Sequence, residues 1–171
     1  GKLVNSYLNQ EETSNRIYQI DQKSSLINNL SITDNLFVMR PGFKKQVINE
    51  WVLREQADRV LKQLSMDLDL NKRVERLTTM ERIMVEIAKA VSYDAKVIVF
   101  DEPTSSLTET EVEHLFRIIN MLRDKGCGII YISHKMDEIL RISDEVTIMR
   151  DGQWVATRHA KDLTMEEIIK L

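Results

Sequence analysis

Val97-Ile98-Val99-Phe100-Asp101-Glu102, followed by Pro103-Thr104-Ser105-Ser106-Leu107-Thr108, sets an acidic pair directly after an apolar, β-branched run. A run of that kind suits a strand buried on both faces of a parallel sheet. Ligands of open α/β sheets gather at the carboxyl ends of the strands, so Asp101 and Glu102 stand where chemistry is done. One carboxylate there can hold Mg²⁺ through its water shell, and a neighbouring one can orient or deprotonate an attacking water. Read alone, the pair is also compatible with a solvated acidic strand end. The surrounding elements decide between the two.

Downstream, Thr108-Glu109-Thr110-Glu111 has the capping-box pattern and opens a helix carrying Val112, Leu115, Phe116, Ile119 and Leu122 toward a core. Gly126 and Gly128 end it, and Ile129-Ile130-Tyr131-Ile132 follows as a second buried strand. His134 comes two residues later, and a parallel neighbour would bring it to the sheet edge of Glu102. His114 and His159 have no such placement. A short helix is predicted from Met136 to about Ile142. Val146 to Arg150 and Gln153 to Thr157 then flank Asp151-Gly152, a type I′ hairpin signal, and Thr164 with Glu167 caps a last helix at the end of the sequence.

Upstream, Thr79 to Val91 reads as a helix with Ile83, Met84, Ile87, Ala88 and Val91 on one face. Val47, Trp51, Val52, Ala57, Val60, Leu61 and Leu64 predict a helical insert from Lys44 to Leu64, after the Pro41-Gly42 punctuation. Ile17 to Asp21 alternates as a short strand, and residues 1–16 are polar without a period. The fold class is α/β, a mostly parallel sheet with a helical subdomain and a C-terminal β-hairpin.

Composition narrows the function classes. The 171 residues hold 24 Lys and Arg against 27 Asp and Glu, a formal charge of -3, which gives no net field for nucleic acid. The single cysteine, Cys127, can form neither an internal bridge nor a Cys-rich zinc site, and points to a cytosolic setting. The longest apolar runs fall far short of the roughly 20 residues that cross a bilayer.

The segment Val97 to Thr108 resembles the Walker B segment and D-loop of an ABC-transporter ATPase, and Ile132-Ser133-His134-Lys135 resembles its switch-histidine segment. Glu86-Ile87-Ala88-Lys89-Ala90, Asp94-Ala95-Lys96 and Gly126 to Met136 are similar to the first cassette of bacterial monosaccharide importers of the galactose/methyl-galactoside type. Gln22, followed by Leu30 to Phe37, resembles the Q-loop and the segment after it, which touches the membrane subunit in the family. Gln19 is the other register.

The resemblance implies a single partial nucleotide-binding domain. Residues from about 23 to 92 would hold the Q-loop, helical subdomain and signature, and those from about 93 to 171 Walker B, the D-loop, the switch histidine and the hairpin. It implies ATP and Mg²⁺, with Asp101 and Gln22 on the metal, Glu102 polarising water and His134 sensing the γ-phosphate. Ser105 would signal across a cassette dimer, and Thr78 would serve the partner's nucleotide. The implied partners are a second cassette, a transmembrane permease and, indirectly, a sugar-binding protein, at the cytoplasmic face of a bacterial membrane.

Two departures qualify this. No G-x-x-x-x-G-K-[ST] phosphate loop occurs in the sequence, and the expectation is that it precedes Gly1 in the gene. Leu77-Thr78-Thr79-Met80-Glu81 stands where the family has Leu-Ser-Gly-Gly-Gln, replacing two glycines with bulk and adding a negative charge. The 171 residues alone are therefore expected to hydrolyse ATP poorly. A non-catalytic regulatory or interaction module with an ABC shape is the alternative.

Overall fold

The computed structural model describes residues 17–21, 24–37 and 50–170. Residues 1–16, Gln22 with Lys23, and 38–49, where the predicted insert begins, lie outside the described residues. The chain divides into two compact units between Ile130 and Tyr131.

In the first unit β1 (Ile17–Ile20) pairs parallel with β2 (Val97–Asp101), Ile17 opposite Val97 and Ile20 opposite Phe100. Strand β3 (Gly128–Ile132) lies on the other side of β2, giving the order β1-β2-β3. The expectation of strands buried on both faces holds only in part. Ile98 and Phe100 are buried, whereas Val97 and Val99 are half-buried and Ile130 and Ile132 are exposed. Alternate side chains of a strand point to opposite faces, and the described residues seal only one face of this sheet.

Helices α1 (Ile32–Phe37), α2 (Glu50–Gln63) and α3 (Thr79–Ser92) pack on one another, and α3 also packs on β1. Helix α2 buries Ala57 and Leu61, and Leu64 just beyond it extends the same stripe. Trp51 and Val52, predicted on that face, are exposed. At about 100° per residue, Trp51 lies about 120° around the helix from Ala57 and so misses the stripe.

Helix α3 has more than one apolar face: every residue from Met84 to Ala90 is buried. A helix enclosed all round is a central element rather than a surface one. Helix α4 (Glu109–Asp124) starts at the predicted capping box, with the Glu111 carboxylate accepting from the Thr108 N–H at 2.9 Å. It ends before Gly126, whose φ of +86° suits a residue without a side chain.

The second unit holds α5 (Met136–Ile142), which packs on the 3-10 turn Ala160–Asp162 and on α6 (Met165–Lys170). Its hairpin pairs β4 (Glu145–Arg150) with β5 (Gln153–His159) antiparallel. Asp151 at φ +51° and Gly152 at φ +75° make the predicted type I′ turn. No helix among the described residues is long and apolar enough to cross a membrane.

Candidate functional site

Asp101 closes β2, and the next residue leaves the extended region abruptly. Glu102 has φ +51°, a left-handed backbone that costs a non-glycine residue about 1 kcal/mol or more. Such conformations persist where the surroundings impose them, and they cluster at functional positions. Behind the pair, Phe100 is fully buried, and Pro103 and Thr104 are buried ahead of it. The Ser105 N–H donates to the Glu102 carbonyl at 3.4 Å and the Leu107 N–H to that of Thr104 at 3.3 Å, folding the segment into a turn. Asp101, Glu102 and the exposed Ser105 therefore share one strand end. Parallel pairing brings the chain out of β1 at the same sheet edge, since Ile20 lies beside Phe100.

Among the described residues no three Asp, Glu, His or Cys side chains converge as a metal cage. Mg²⁺ does not need one, because it keeps water and phosphate oxygens in its shell and takes one or two carboxylates from the protein. The half-buried Asp101 at a strand end fits that modest demand.

A further position expected from the resemblance, Thr78, lies at the start of α3. Thr78 is its N-cap: its hydroxyl accepts from the Glu81 N–H at 3.2 Å while the Glu81 carboxylate accepts from the Thr78 N–H at 2.8 Å. Lys72 Nζ donates to both Glu81 oxygens, at 2.8 and 3.0 Å. The added negative charge expected from the sequence is therefore compensated by a cation brought in from the preceding segment. The signal was legible, since Thr78-x-x-Glu81 is the pattern already read at Thr108 and Glu111. Leu-Ser-Gly-Gly-Gln contains the same Ser-x-x-Gln arrangement.

Burial works against ionisation of Glu81, yet the bonds from Lys72 and Thr78 outweigh it and hold its carboxyl below the ordinary glutamate range. A depressed carboxyl contributes stability that is present above the unfolded-state pKa and lost as pH falls through the folded-state one. The unfolding midpoints of wild type and Glu81→Gln are thus expected to differ near neutrality and to converge in acid. A gap that stays constant down to pH about 2 would remove the ionised carboxylate from the argument.

His134 lies in the second unit, exposed, two residues past β3 and two before α5. Beside it, the Lys135 N–H donates to the Ser133 hydroxyl at 3.0 Å. His159 instead faces Glu145 across the hairpin at 3.5 Å. Gln22 lies outside the described residues. Burial pushes the Cys127 thiol up, which favours its protonated, less nucleophilic form.

Several polar side chains are buried among the described residues, and one of them, Glu86, was quoted above only for the resemblance. Glu86 is 3% exposed, flanked by Val85 and Ile87, both at 0%. Its carboxylate accepts from Tyr18, Ser24 and Ser25. The available signal was an acid set between Val85 and Ile87 in a mostly apolar helical run that also holds Lys89.

A family model described as ABC transporter matches residues 2–105. The galactose/methyl galactoside import ATP-binding protein MglA of Clostridium perfringens is 48% identical over 171 residues, covering 100% of this chain and 33% of that protein. The protein of the same name from Haemophilus influenzae is 44% identical over 169 residues, covering 99% and 33%. The chain thus spans about a third of the length of the curated relatives it matches. Among solved structures, cbiO1 from Clostridium perfringens, part of the ABC transporter complex cbiONQ, aligns with TM-score 0.76 at 22% identity over 92% of this chain and 62% of that one. An ATP-binding cassette of an ABC transporter in its ADP conformation aligns with TM-score 0.73 at 24% identity, covering 94% and 65%. These structural likenesses establish the α/β cassette fold.

Proposed function

Because the chain belongs to the ABC transporter family, we propose that it is part of an ATP-hydrolysing subunit that powers monosaccharide import through a membrane permease. The observation that carries this is the strand end itself: Asp101 as the last residue of a parallel strand, with Glu102 held left-handed directly after it. Asp101 is the residue that would hold Mg²⁺, together with Gln22 by family register. When bound, Mg²⁺ neutralises charge on the phosphates of ATP. Glu102 orients the attacking water and accepts its proton as the terminal phosphoryl group is transferred. His134 contacts the terminal phosphate, Ser105 faces the partner cassette, and Thr78 presents the start of α3 to the partner's nucleotide.

A second cassette, permease subunits and a sugar-binding protein complete the proposed assembly at the cytoplasmic face of a bacterial membrane. The relatives named for galactose and methyl galactoside import support a monosaccharide as cargo. The test is Mg²⁺-dependent ATP hydrolysis by the full-length protein with its permease, measured alongside uptake of labelled galactose. Uptake that proceeds without ATP turnover would defeat the reading.

The segment Thr79-Met80-Glu81 favours a second reading, a regulatory module that has lost turnover at one composite site. Restoring Thr78→Ser, Thr79→Gly, Met80→Gly and Glu81→Gln together keeps the capping box but removes the bulk and the Lys72 ion pair. In the full-length protein this is expected to raise ATP turnover, despite a helix cost of about 1 kcal/mol for each interior glycine. Unchanged turnover and nucleotide occlusion, with folding verified, would favour the regulatory module.

A further inference from the structure

Glu86 sits midway along α3, where a carboxylate is costly unless donors surround it. The Tyr18 hydroxyl donates at 2.6 Å, the Ser25 N–H at 2.8 Å, and the hydroxyls of Ser24 and Ser25 at 3.0 and 3.1 Å. These donors stand 61 to 68 residues earlier in the chain, on β1 and on the segment just after it. Burial also raises the Tyr18 phenol well above its ordinary range, and the facing Glu86 carboxylate adds to the shift.

Val85 and Ile87 fill the same helix turn with apolar side chains, so the position needs no acid for packing. What an acid adds is simultaneous acceptance from three points of the backbone path. Other bonds extend the fastening: Arg82 donates to the Asn28 side chain at 2.9 Å, and the Glu75 N–H to the Asn28 carbonyl at 3.0 Å. Those contacts reach the segment from the start of α3 and the turn before it. Glu86 ties it to the middle of the helix and, through Tyr18, to the sheet.

We propose that Glu86 is a positioning residue for ATP turnover, fixing Ser24-Ser25 so that the segment following β1 and the Thr78 end of α3 keep one geometry. The proposal rests on the ATPase reading above and assigns Glu86 no contact with nucleotide. In the full-length protein, ATP turnover is measured against ATP concentration, and amide exchange is followed over residues 24–30 and 84–90. Glu86→Ala is expected to lower kcat by about tenfold or more with KM changed less than about twofold, and to speed exchange at Ser24 to Ile27 by about tenfold. Protection from Met84 to Ala90 should persist. Glu86→Gln keeps the length and an acceptor for the Ser25 N–H, and is expected to recover kcat to within about threefold of wild type.

Equal loss of kcat in the two variants, or loss of protection along all of α3, would overturn the proposal in favour of a purely structural role. So would Glu86→Ala turning over ATP at the wild-type rate. Should Glu86→Ala fail to fold, Ser24→Ala with Ser25→Ala removes two donors from the segment while leaving α3 intact. A fall in kcat at constant KM then supports positioning, and an unchanged kcat overturns it. Absence of turnover in the unsubstituted protein would sink the ATPase reading instead. The exchange measurements on Glu86→Ala and Glu86→Gln would then decide the fastening alone: loosening confined to Ser24–Ile27 in the first and restored in the second supports it, and unchanged exchange overturns it.

Discussion

Glu102→Gln in the full-length protein is expected to lower ATP turnover by about 10²- to 10⁴-fold while nucleotide binding persists. The amide keeps the size of the side chain and its hydrogen-bonding reach but cannot take the proton of the attacking water. Glutamine has the same Cβ and length as glutamate, so it meets the left-handed backbone at φ +51° with no added steric cost and leaves the strand end in place. Asp101→Asn should act differently, impairing the Mg²⁺-dependent steps and raising the Mg²⁺ concentration needed for half-maximal turnover. Single-turnover ATP hydrolysis is measured with the matching carboxylate of any second cassette also replaced by glutamine, so that an intact second site cannot mask the loss. A single-turnover rate within about twofold of wild type for Glu102→Gln would remove Glu102 from the catalytic role.

The largest expected effect on stability comes from the residue that holds this strand end against the core. Phe100→Ala should destabilise the protein by about 3–5 kcal/mol, the transfer of the ring plus the cavity it leaves. Phe100 is 0% exposed, and its strand is flanked by β1 and β3, so neighbouring backbone has little room to collapse into the gap. Val99→Ala, one residue away on the half-buried face, should cost clearly less. Urea denaturation of the two variants, compared at unchanged m-value, is the measurement. Equal shifts in midpoint would mean that the two faces of β2 are equally packed, contrary to the burial described.

Local signals were reliable where the physics is local. The capping boxes at Thr108 and Thr164, the type I′ turn at Asp151-Gly152 and the limits of α5 depend on bonds between residues a few positions apart. Each was legible as a short pattern. Burial was less so: Val99, Ile130 and Trp51 are as apolar as their buried neighbours, and nothing within a few residues says which face another element will cover. At the candidate site, the placing of Asp101 and Glu102 followed from one segment, since a strand that stops at an acid pair announces its own end, whereas Ser105 was named only through the resemblance.

Sequence by itself therefore determined the α/β class, the strand that carries the acid pair and the family, because apolar periodicity and motif spacing are properties of contiguous residues. Only the tertiary structure decided that Glu81 is balanced by Lys72, nine residues away, and that Glu86 is the buried acceptor for Tyr18, Ser24 and Ser25, more than 60 residues earlier. The physical reason is the same in both cases. A carboxylate's cost and charge are set by the donors that the fold brings to it, and those donors came from segments whose proximity no local pattern encodes.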